Sequence, residues 1–322
     1  MIEFAKQGKI KILFDFSFEG ELYPIMRFVN HMQEIGLPDD AYCALTSAGY
    51  LNGYCQPHSR IMHSPMFEVK AYKCLKKEIE HPVFSTGLTE RRKFVMLNAR
   101  PRPSRIMLSY LLYVNGTLGK GHCSVPGETA SDGASVVEPY NFFEIIDVEM
   151  RRGFKDIDLS LLSEMHAQLP IVADGVDYIN SMVINDTILS DIYDLVDFAL
   201  ITETMTDEHP GKVFITEKIF KAIANKVPFV VLGDIHTLKY LRDLGYKTFD
   251  FLIDESYDSM PYVGRVNAIV TEVSRLCDVN FDEHSERIKE VTDHNYSVLS
   301  NPANHVDKLN NVIKFLDCSH DE

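Results

Sequence analysis

A predicted strand that ends in a polar turn is the first feature of this sequence that could bind a phosphate. Residues 93–97, Lys-Phe-Val-Met-Leu, predict a buried strand, and a helix is predicted from about residue 104 to residue 114. The first N–H groups of a helix and its dipole favour an anion, and the planar guanidinium of arginine donates two parallel hydrogen bonds to phosphate oxygens. The turn carries three arginines, Arg100, Arg102 and Arg105, and begins with the amide side chain of Asn98.

The charge of the chain is unevenly distributed around this turn. Overall, 47 Asp and Glu outnumber 32 Lys and Arg, for a net charge of −15, which argues against nucleic-acid binding through net charge. Residues 91–127, however, contain seven Lys and Arg and no Asp or Glu. We call this segment the basic island. It indicates either a polyanionic ligand or internal ion pairs with carboxylates elsewhere in the chain.

A second polar group, Thr216-Glu217-Lys218, lies between two further predicted strands. Residues 196–202 predict a buried strand that is followed by Glu203, and residues 228–233 predict another. Thr216 is a favourable N-cap for a helix that ends at Ala224. A carboxylate beside a lysine at a helix start can bind a sugar diol and neutralise a phosphate. The alternative is an ordinary capped helix with exposed first-turn charges.

The order of these elements resembles the donor-binding domain of the α-1,3-fucosyltransferase family. In that family, a strand that ends in Glu-Asn-Ser is followed by a polar loop, by Tyr-x-Thr-Glu-Lys at a helix start, and by a Pro-Val-x-x-Gly-like strand. Residues 198–233 carry the resemblance, with Thr204-Met205 in place of Asn-Ser and Phe214 in place of Tyr. The segment 239–249 is also similar to glycosyltransferase-like proteins of tailed phages.

The resemblance implies an α/β, GT-B-like fold, with two Rossmann-like domains facing each other across a cleft and a C-terminal helix packed back on the first domain. It implies a glycosyltransferase that takes a sugar from a nucleotide-sugar by direct displacement, with no metal or other cofactor. Lys218 and Arg105 would contact the donor diphosphate and Glu217 the ribose, while Asn98 and Glu203 would line the same pocket. The complete predicted donor-binding set is Asn98, Arg100, Arg102, Arg105, Glu203, Thr216, Glu217 and Lys218.

Displacement at the anomeric carbon also needs a base for the acceptor hydroxyl. Open α/β sheets place their chemistry at the carboxyl ends of strands, and carboxylates lie at the end of the predicted strand 11–16. Glu19 is therefore the first choice for the base and Asp15 the second, with a solvated loop carboxylate as the alternative for Glu19. Asp156-Ile-Asp158 has the form of a metal-binding triplet, but its place before a predicted helix favours a cap.

Alternation of strands and helices predicts parallel sheets. We expect an acceptor-side domain in residues 1–89, a donor-binding domain in residues 90–300, and a C-terminal helix and tail in residues 301–322. The Gly-rich segment 119–133 predicts a loop. No apolar run is long enough for a bilayer-spanning helix, and six scattered cysteines without a C-x-x-C pair favour a reducing cytoplasm, bacterial or virus-infected.

Two acceptors are compatible with the sequence. The similarity to phage proteins favours a hydroxylated base in DNA, in which case the basic island would partly follow the DNA backbone. A glycan or lipopolysaccharide-type sugar is the other acceptor. Outside the enzymes, a non-catalytic nucleotide- or nucleic-acid-binding protein on the same fold is the alternative.

Overall fold

Two parallel β-sheets, joined by a short antiparallel pair of strands, organise the chain. The computed structural model describes residues 1–16, 22–50, 61–76, 86–127, 141–173, 190–206, 208 and 211–316. The strands in this part are β1 Ile12–Phe16, β2 Tyr42–Thr46, β3 Ala48–Tyr50, β4 Ile61–His63, β5 Phe94–Leu97, β6 Gly121–Ser124, β7 Phe198–Thr202, β8 Lys212–Phe214 and β9 Phe229–Leu232. The helices are α1 Ile2–Lys6, α2 Leu22–Glu34, α3 Met66–Leu75, α4 Pro103–Val114, α5 Phe142–Arg151, α6 Leu159–His166, α7 Glu217–Ala224, α8 Thr237–Asp243, α9 Tyr262–Leu276, α10 Ser285–Ser300 and α11 Pro302–Leu316.

The first sheet has the order β1-β2-β4, with its strands parallel. Successive side chains of a strand point to opposite faces, and a different helix covers each face here. Ile25 of α2 shares a buried cluster with Tyr42 on one face. Val312 of α11 shares a cluster with Cys43 and Leu45 on the other. The last helix of the described part therefore returns to the first sheet.

The second sheet has the order β6-β5-β7-β9, and its strands are also parallel. The chain enters at β5, adds β6 on one side, and then returns to add β7 and β9 on the other. The connections that leave β5 and β7 therefore run to opposite sides of the sheet. Such a topological switch point opens a crevice at the carboxyl ends of the two strands, where open α/β sheets bind their ligands.

The antiparallel pair β3–β8 joins the carboxyl edges of the two sheets. β3 begins two residues after β2 ends, while β8 lies between β7 and α7. In this pair Ala48 lies opposite Phe214, and Gly49 lies opposite Val213. This pairing between distant segments fixes the position of the chain just before α7. The first turn of α7 carries Glu217 and Lys218.

Gly49 is required by a close approach between β3 and α8. A Cβ atom added at Gly49 would lie 2.0 Å from the hydroxyl oxygen of Tyr240, a side chain that is itself buried. We expect Gly49→Ala to lower the free energy of unfolding by about 1–3 kcal/mol, because the buried ring must move. The control is Gly119→Ala, where an added Cβ meets nothing within 4 Å. Urea denaturation of both variants tests this, and equal stability would contradict it.

The α/β class and the parallel sheets are confirmed, and α4 and α7 begin within a residue of their predicted starts. The prediction of a loop over residues 119–133 is wrong at its start, because β6 pairs with β5 there. The domain boundary after residue 89 stays a prediction. Helix α3 contributes Ala71 and Cys74 to the core of the second sheet. No helix in the described ranges has both the length and the apolar character to cross a membrane.

Candidate functional site

The switch point of the second sheet is bordered by two buried polar residues, one from each central strand. Asn98 follows β5 and is 1% exposed, while Glu203 follows β7 and is 0% exposed. The Thr202 hydroxyl donates a hydrogen bond to the Asn98 side-chain oxygen and so links the two strand ends. We use the name switch-point site for the group formed by Asn98, Arg105, Glu203, Thr216, Glu217 and Lys218.

Arg105 lies in the first turn of α4 and is 3% exposed. Its guanidinium donates to the carbonyl oxygens of Arg100 at 3.4 Å and Thr202 at 3.2 Å. Burial lowers the pKa of Arg105 to about 10 and Arg102 adds to this effect, whereas Glu203 opposes it. Arg105 is therefore protonated at neutral pH, and it fixes the polar turn against the end of β7.

The start of α4 has the features of an anion site. Pro103 occupies the first turn, Arg102 stands at the N-cap position without a side-chain cap, and the first turn contains no acidic residue. The N-terminal N–H groups of a helix favour an anion when no side chain satisfies them. Arg100 is exposed and Arg102 is half-buried at this turn.

The carboxylate of Glu203 is bound by Thr216, at the start of α7. The Thr216 backbone N–H donates to Glu203 Oε1 at 3.1 Å, and the Thr216 hydroxyl donates to Oε2 at 2.5 Å. Burial raises the pKa of Glu203, and Lys218 and the Thr216 hydrogen bonds oppose that rise. Thr216 stands at the predicted N-cap position, but the prediction that its side chain caps the helix is wrong, since it makes no cap hydrogen bond.

Glu217 and Lys218 form a partly buried ion pair. The Lys218 ammonium donates to Glu217 Oε1 and to the Thr216 hydroxyl oxygen, each at 3.0 Å. The side chains are 8% exposed for Glu217 and 22% for Lys218, so the alternative of exposed first-turn charges is wrong. Burial alone would raise the pKa of Glu217, but Lys218 and Lys221 outweigh it and lower the pKa to about 2.

The depressed pKa of Glu217 predicts a stability that depends on pH. Its value is about 2 in the folded chain against 4.5 for an ordinary glutamate, so this contribution is present above about pH 4.5 and is lost as pH falls toward 2. The difference corresponds to about 3 kcal/mol. We expect Glu217→Gln to lower the free energy of unfolding by about this amount at pH 6, and by little near pH 2.

Urea denaturation between pH 2 and pH 6 measures this effect. The matched control is Glu286→Gln, since Glu286 also lies in the first turn of a helix, α10, but is exposed. A difference between Glu217→Gln and the unmodified chain that stays constant over this pH range would contradict the ionised, charge-stabilised state of Glu217.

The basic island divides between the two ends of the sheet. At the amino ends of the strands, Asp197 binds Arg91 at 2.7 Å and Lys93 at 3.1 Å. Arg92 binds Glu90 at 2.8 Å and Lys120 binds Asp278 at 3.2 Å. Internal ion pairing therefore accounts for these four. The remaining three lie at the carboxyl end of β5: Arg105 belongs to the switch-point site, and Arg100 and Arg102 lie beside it.

Of the two predicted catalytic carboxylates, the structure describes Asp15. Asp15 lies within β1 and is exposed, with Leu45 as its neighbour in register on β2. Glu19 lies outside the described residues.

Asp158 caps α6 by accepting hydrogen bonds from the backbone N–H groups of Ser160 and Leu161. Within the described ranges, no group of three or more His, Cys, Asp or Glu is placed to hold a metal ion.

Two residues near the site escaped the sequence analysis. Asp234, 1% exposed, follows β9 and accepts a hydrogen bond from the Phe214 N–H at 2.9 Å. Arg265 of α9, also 1% exposed, donates to the Thr206 carbonyl at 3.2 Å in the segment after Glu203. The position of Asp234 after a buried strand was a usable signal. Arg265 gave none, because its contact with this segment joins residues 59 positions apart in sequence.

Comparison with protein-family models, with curated proteins and with solved structures finds no match to this chain. Fold and site together define an α/β protein with two parallel sheets and a buried, charged group at the switch point of the second.

Proposed function

We propose that this chain is a glycosyltransferase that uses a nucleotide-sugar donor, and that the diphosphate and ribose of the donor bind at the switch-point site. One observation carries the proposal. The starts of α4 and α7, both without a side-chain cap, lie next to the central strands of a switch point together with Lys218 and Glu217. Helix starts and a cation favour phosphate, and a buried carboxylate accepts hydrogen bonds from a sugar diol.

Lys218 and Glu217 have complementary roles in this proposal. An ammonium group has three N–H donors. In the described part of the chain, Lys218 donates two hydrogen bonds, one to the Thr216 hydroxyl oxygen and one to the Glu217 carboxylate. The third would bind a diphosphate oxygen. Glu217, with its pKa near 2, is an acceptor at neutral pH and would bind the ribose hydroxyls. Arg105 would fix the turn that carries Arg100, and its Nε would donate to a phosphate oxygen.

The two-sheet arrangement supports a GT-B-like enzyme with facing Rossmann-like domains. β3–β8 joins the carboxyl edges of the sheets, and α11 packs back on the first sheet. In the reaction, the acceptor hydroxyl oxygen bonds to the anomeric carbon as the bond to the diphosphate oxygen breaks. The hydroxyl proton would pass to a carboxylate of the first domain, with Glu19 and Asp15 as the candidates. Lys218 and the helix starts would stabilise the charge on the departing diphosphate.

The ion pairs of the basic island favour a small phosphorylated ligand over a long DNA surface. Four of its seven cations bind carboxylates at the opposite end of the sheet. The acceptor itself stays a prediction, either a hydroxylated DNA base or a glycan. Binding to duplex DNA across a salt series separates them: a steep loss with salt supports DNA, whereas no binding at low salt rejects it.

A thermal-shift screen against GDP-, UDP- and dTDP-sugars, which carry a diphosphate, tests the proposal, and a CMP-sugar, which carries a single phosphate, is the control. A ligand that binds only the folded chain stabilises it by about 2.7 kcal/mol at 100 times its Kd, so we expect one nucleotide class to raise the melting temperature clearly. Turnover of that donor is then measured by the release of nucleotide. The absence of a shift with all three diphosphate classes, at concentrations up to several millimolar, would contradict the proposal.

A further inference from the structure

We propose that Glu203 is a positioning residue. It holds Lys218 and Arg105 on the two sides of the switch point so that both cations can bind a pyrophosphate group. The inference rests on the proposed function and deepens it, because it assigns the pyrophosphate part of the donor to a preorganised site. Glu203 was predicted to line the donor pocket. Its carboxylate accepts two hydrogen bonds from Thr216, and through the Thr216 hydroxyl it acts on Lys218.

The hydrogen bonds of Thr216 show how Glu203 controls Lys218. A threonine hydroxyl has one proton to donate and two lone pairs that accept. Because the proton is given to Glu203 Oε2 at 2.5 Å, the lone pairs accept the Lys218 ammonium at 3.0 Å. Without Glu203, the same oxygen would be available to cap α7. Glu203 therefore both orients Lys218 and keeps the Thr216 hydroxyl from capping α7.

The charges around Glu203 give it a second function. Arg105 on α4 and Lys218 on α7 are like charges in a largely buried region, and Glu203 interacts electrostatically with both. Buried charges need a compensating charge. Arg105 also donates to the carbonyl of Thr202, the residue before Glu203. Glu203 thus shares with Glu217 the compensation of two cations that reach the switch point from different helices.

Two buried donors of the switch-point site indicate which chemical groups its ligand would carry. Asn98 Nδ2 and Arg105 Nε are buried, and neither has a hydrogen-bond partner among the described residues. Buried polar groups are nearly always satisfied, and both of these atoms are donors. A ligand that satisfies them must supply acceptors, as the oxygens of a pyrophosphate do. They lie on the α4 side of the switch point, and Lys218 lies on the α7 side.

Binding of inorganic pyrophosphate to the full chain, measured by calorimetry, tests the assignment. We expect Glu203→Gln to weaken binding at least about tenfold, because the amide can no longer accept both Thr216 hydrogen bonds. The matched control is Glu255→Gln: Glu255 also accepts from a backbone N–H, of Phe249 at 2.7 Å, and from a threonine hydroxyl, of Thr248 at 2.8 Å. This control is expected to lose stability without losing pyrophosphate affinity.

A second pair of variants isolates the hydroxyl and applies even if Glu203→Gln does not fold. Thr216→Val removes the hydroxyl and should weaken pyrophosphate binding about tenfold, whereas Thr216→Ser keeps the hydroxyl and should preserve the affinity. Equal affinity in these two variants would overturn the positioning role, as would unchanged affinity in folded Glu203→Gln. If the unmodified chain binds a nucleotide-sugar but not pyrophosphate, only this inference fails. If it binds neither, the proposed function fails as well.

Discussion

Replacing Lys218 with methionine is expected to lower the turnover of the nucleotide-sugar donor at least about 100-fold. The substitution keeps most of the apolar stem and removes the ammonium, the cation placed beside the departing diphosphate. Loss of one preorganised donor to a developing charge typically costs two to three orders of magnitude in rate. Lys221 also stabilises the Glu217 carboxylate, so the variant is expected to remain folded. Steady-state release of nucleotide measures the effect.

The control for this substitution is Lys239→Met. Lys239 is a half-buried lysine of α8 that forms an ion pair with Asp243 one turn away, at 2.7 Å. Its removal is expected to leave turnover within about twofold of the unmodified chain, because surface ion pairs contribute little. Unchanged turnover in folded Lys218→Met would remove Lys218 from the diphosphate and contradict the proposed arrangement.

Replacing Arg105 with methionine is expected to lower the free energy of unfolding by about 3–5 kcal/mol, because it removes two hydrogen bonds from a buried charged group, each of which contributes about 1.5–3 kcal/mol. The substitution removes the donors to the Arg100 and Thr202 carbonyls and leaves Glu203 with less compensating charge. The control is Arg91→Met, since the Arg91 side chain is 62% exposed in its ion pair with Asp197 and should contribute less than about 1 kcal/mol. Equal losses, measured by urea denaturation, would show that Arg105 does not hold the site together.

The elements around the switch point were predictable because short apolar runs end at polar or turn-forming residues there. β5, β7 and β9 are four- or five-residue apolar strands, and the Thr-Glu-Lys triplet marks the start of α7 correctly. β6 was missed because Gly-His-Cys-Ser carries no apolar pattern. The strand forms through its pairing with β5, and Gly121 leaves room for the ring of Phe94, which a Cβ would approach to 2.6 Å.

The connections that join the strand ends to each other and to the start of α7 could not be predicted, because they link elements that are separated in sequence. The Thr202–Asn98 hydrogen bond spans 104 residues. Thr216 has the residue type and position of an N-cap, and only the buried carboxylate of Glu203 diverts its hydroxyl. The charge of residues 91–127 likewise gave no sign that Asp197 and Asp278 would neutralise one end of it. Residue types indicated the chemistry, while the pairing of strands decided which side chains meet.

Hydrogen exchange in the presence of a nucleotide-sugar tests most directly whether the donor binds at the switch point. The ligand is the GDP-, UDP- or dTDP-sugar that stabilises the chain, and amide exchange is compared with and without it. We expect slowed exchange in two segments far apart in sequence, residues 98–106 and residues 214–219, and in Lys218→Met a loss of that protection. Protection confined to other parts of the chain would contradict the central claim that this switch point is the donor site.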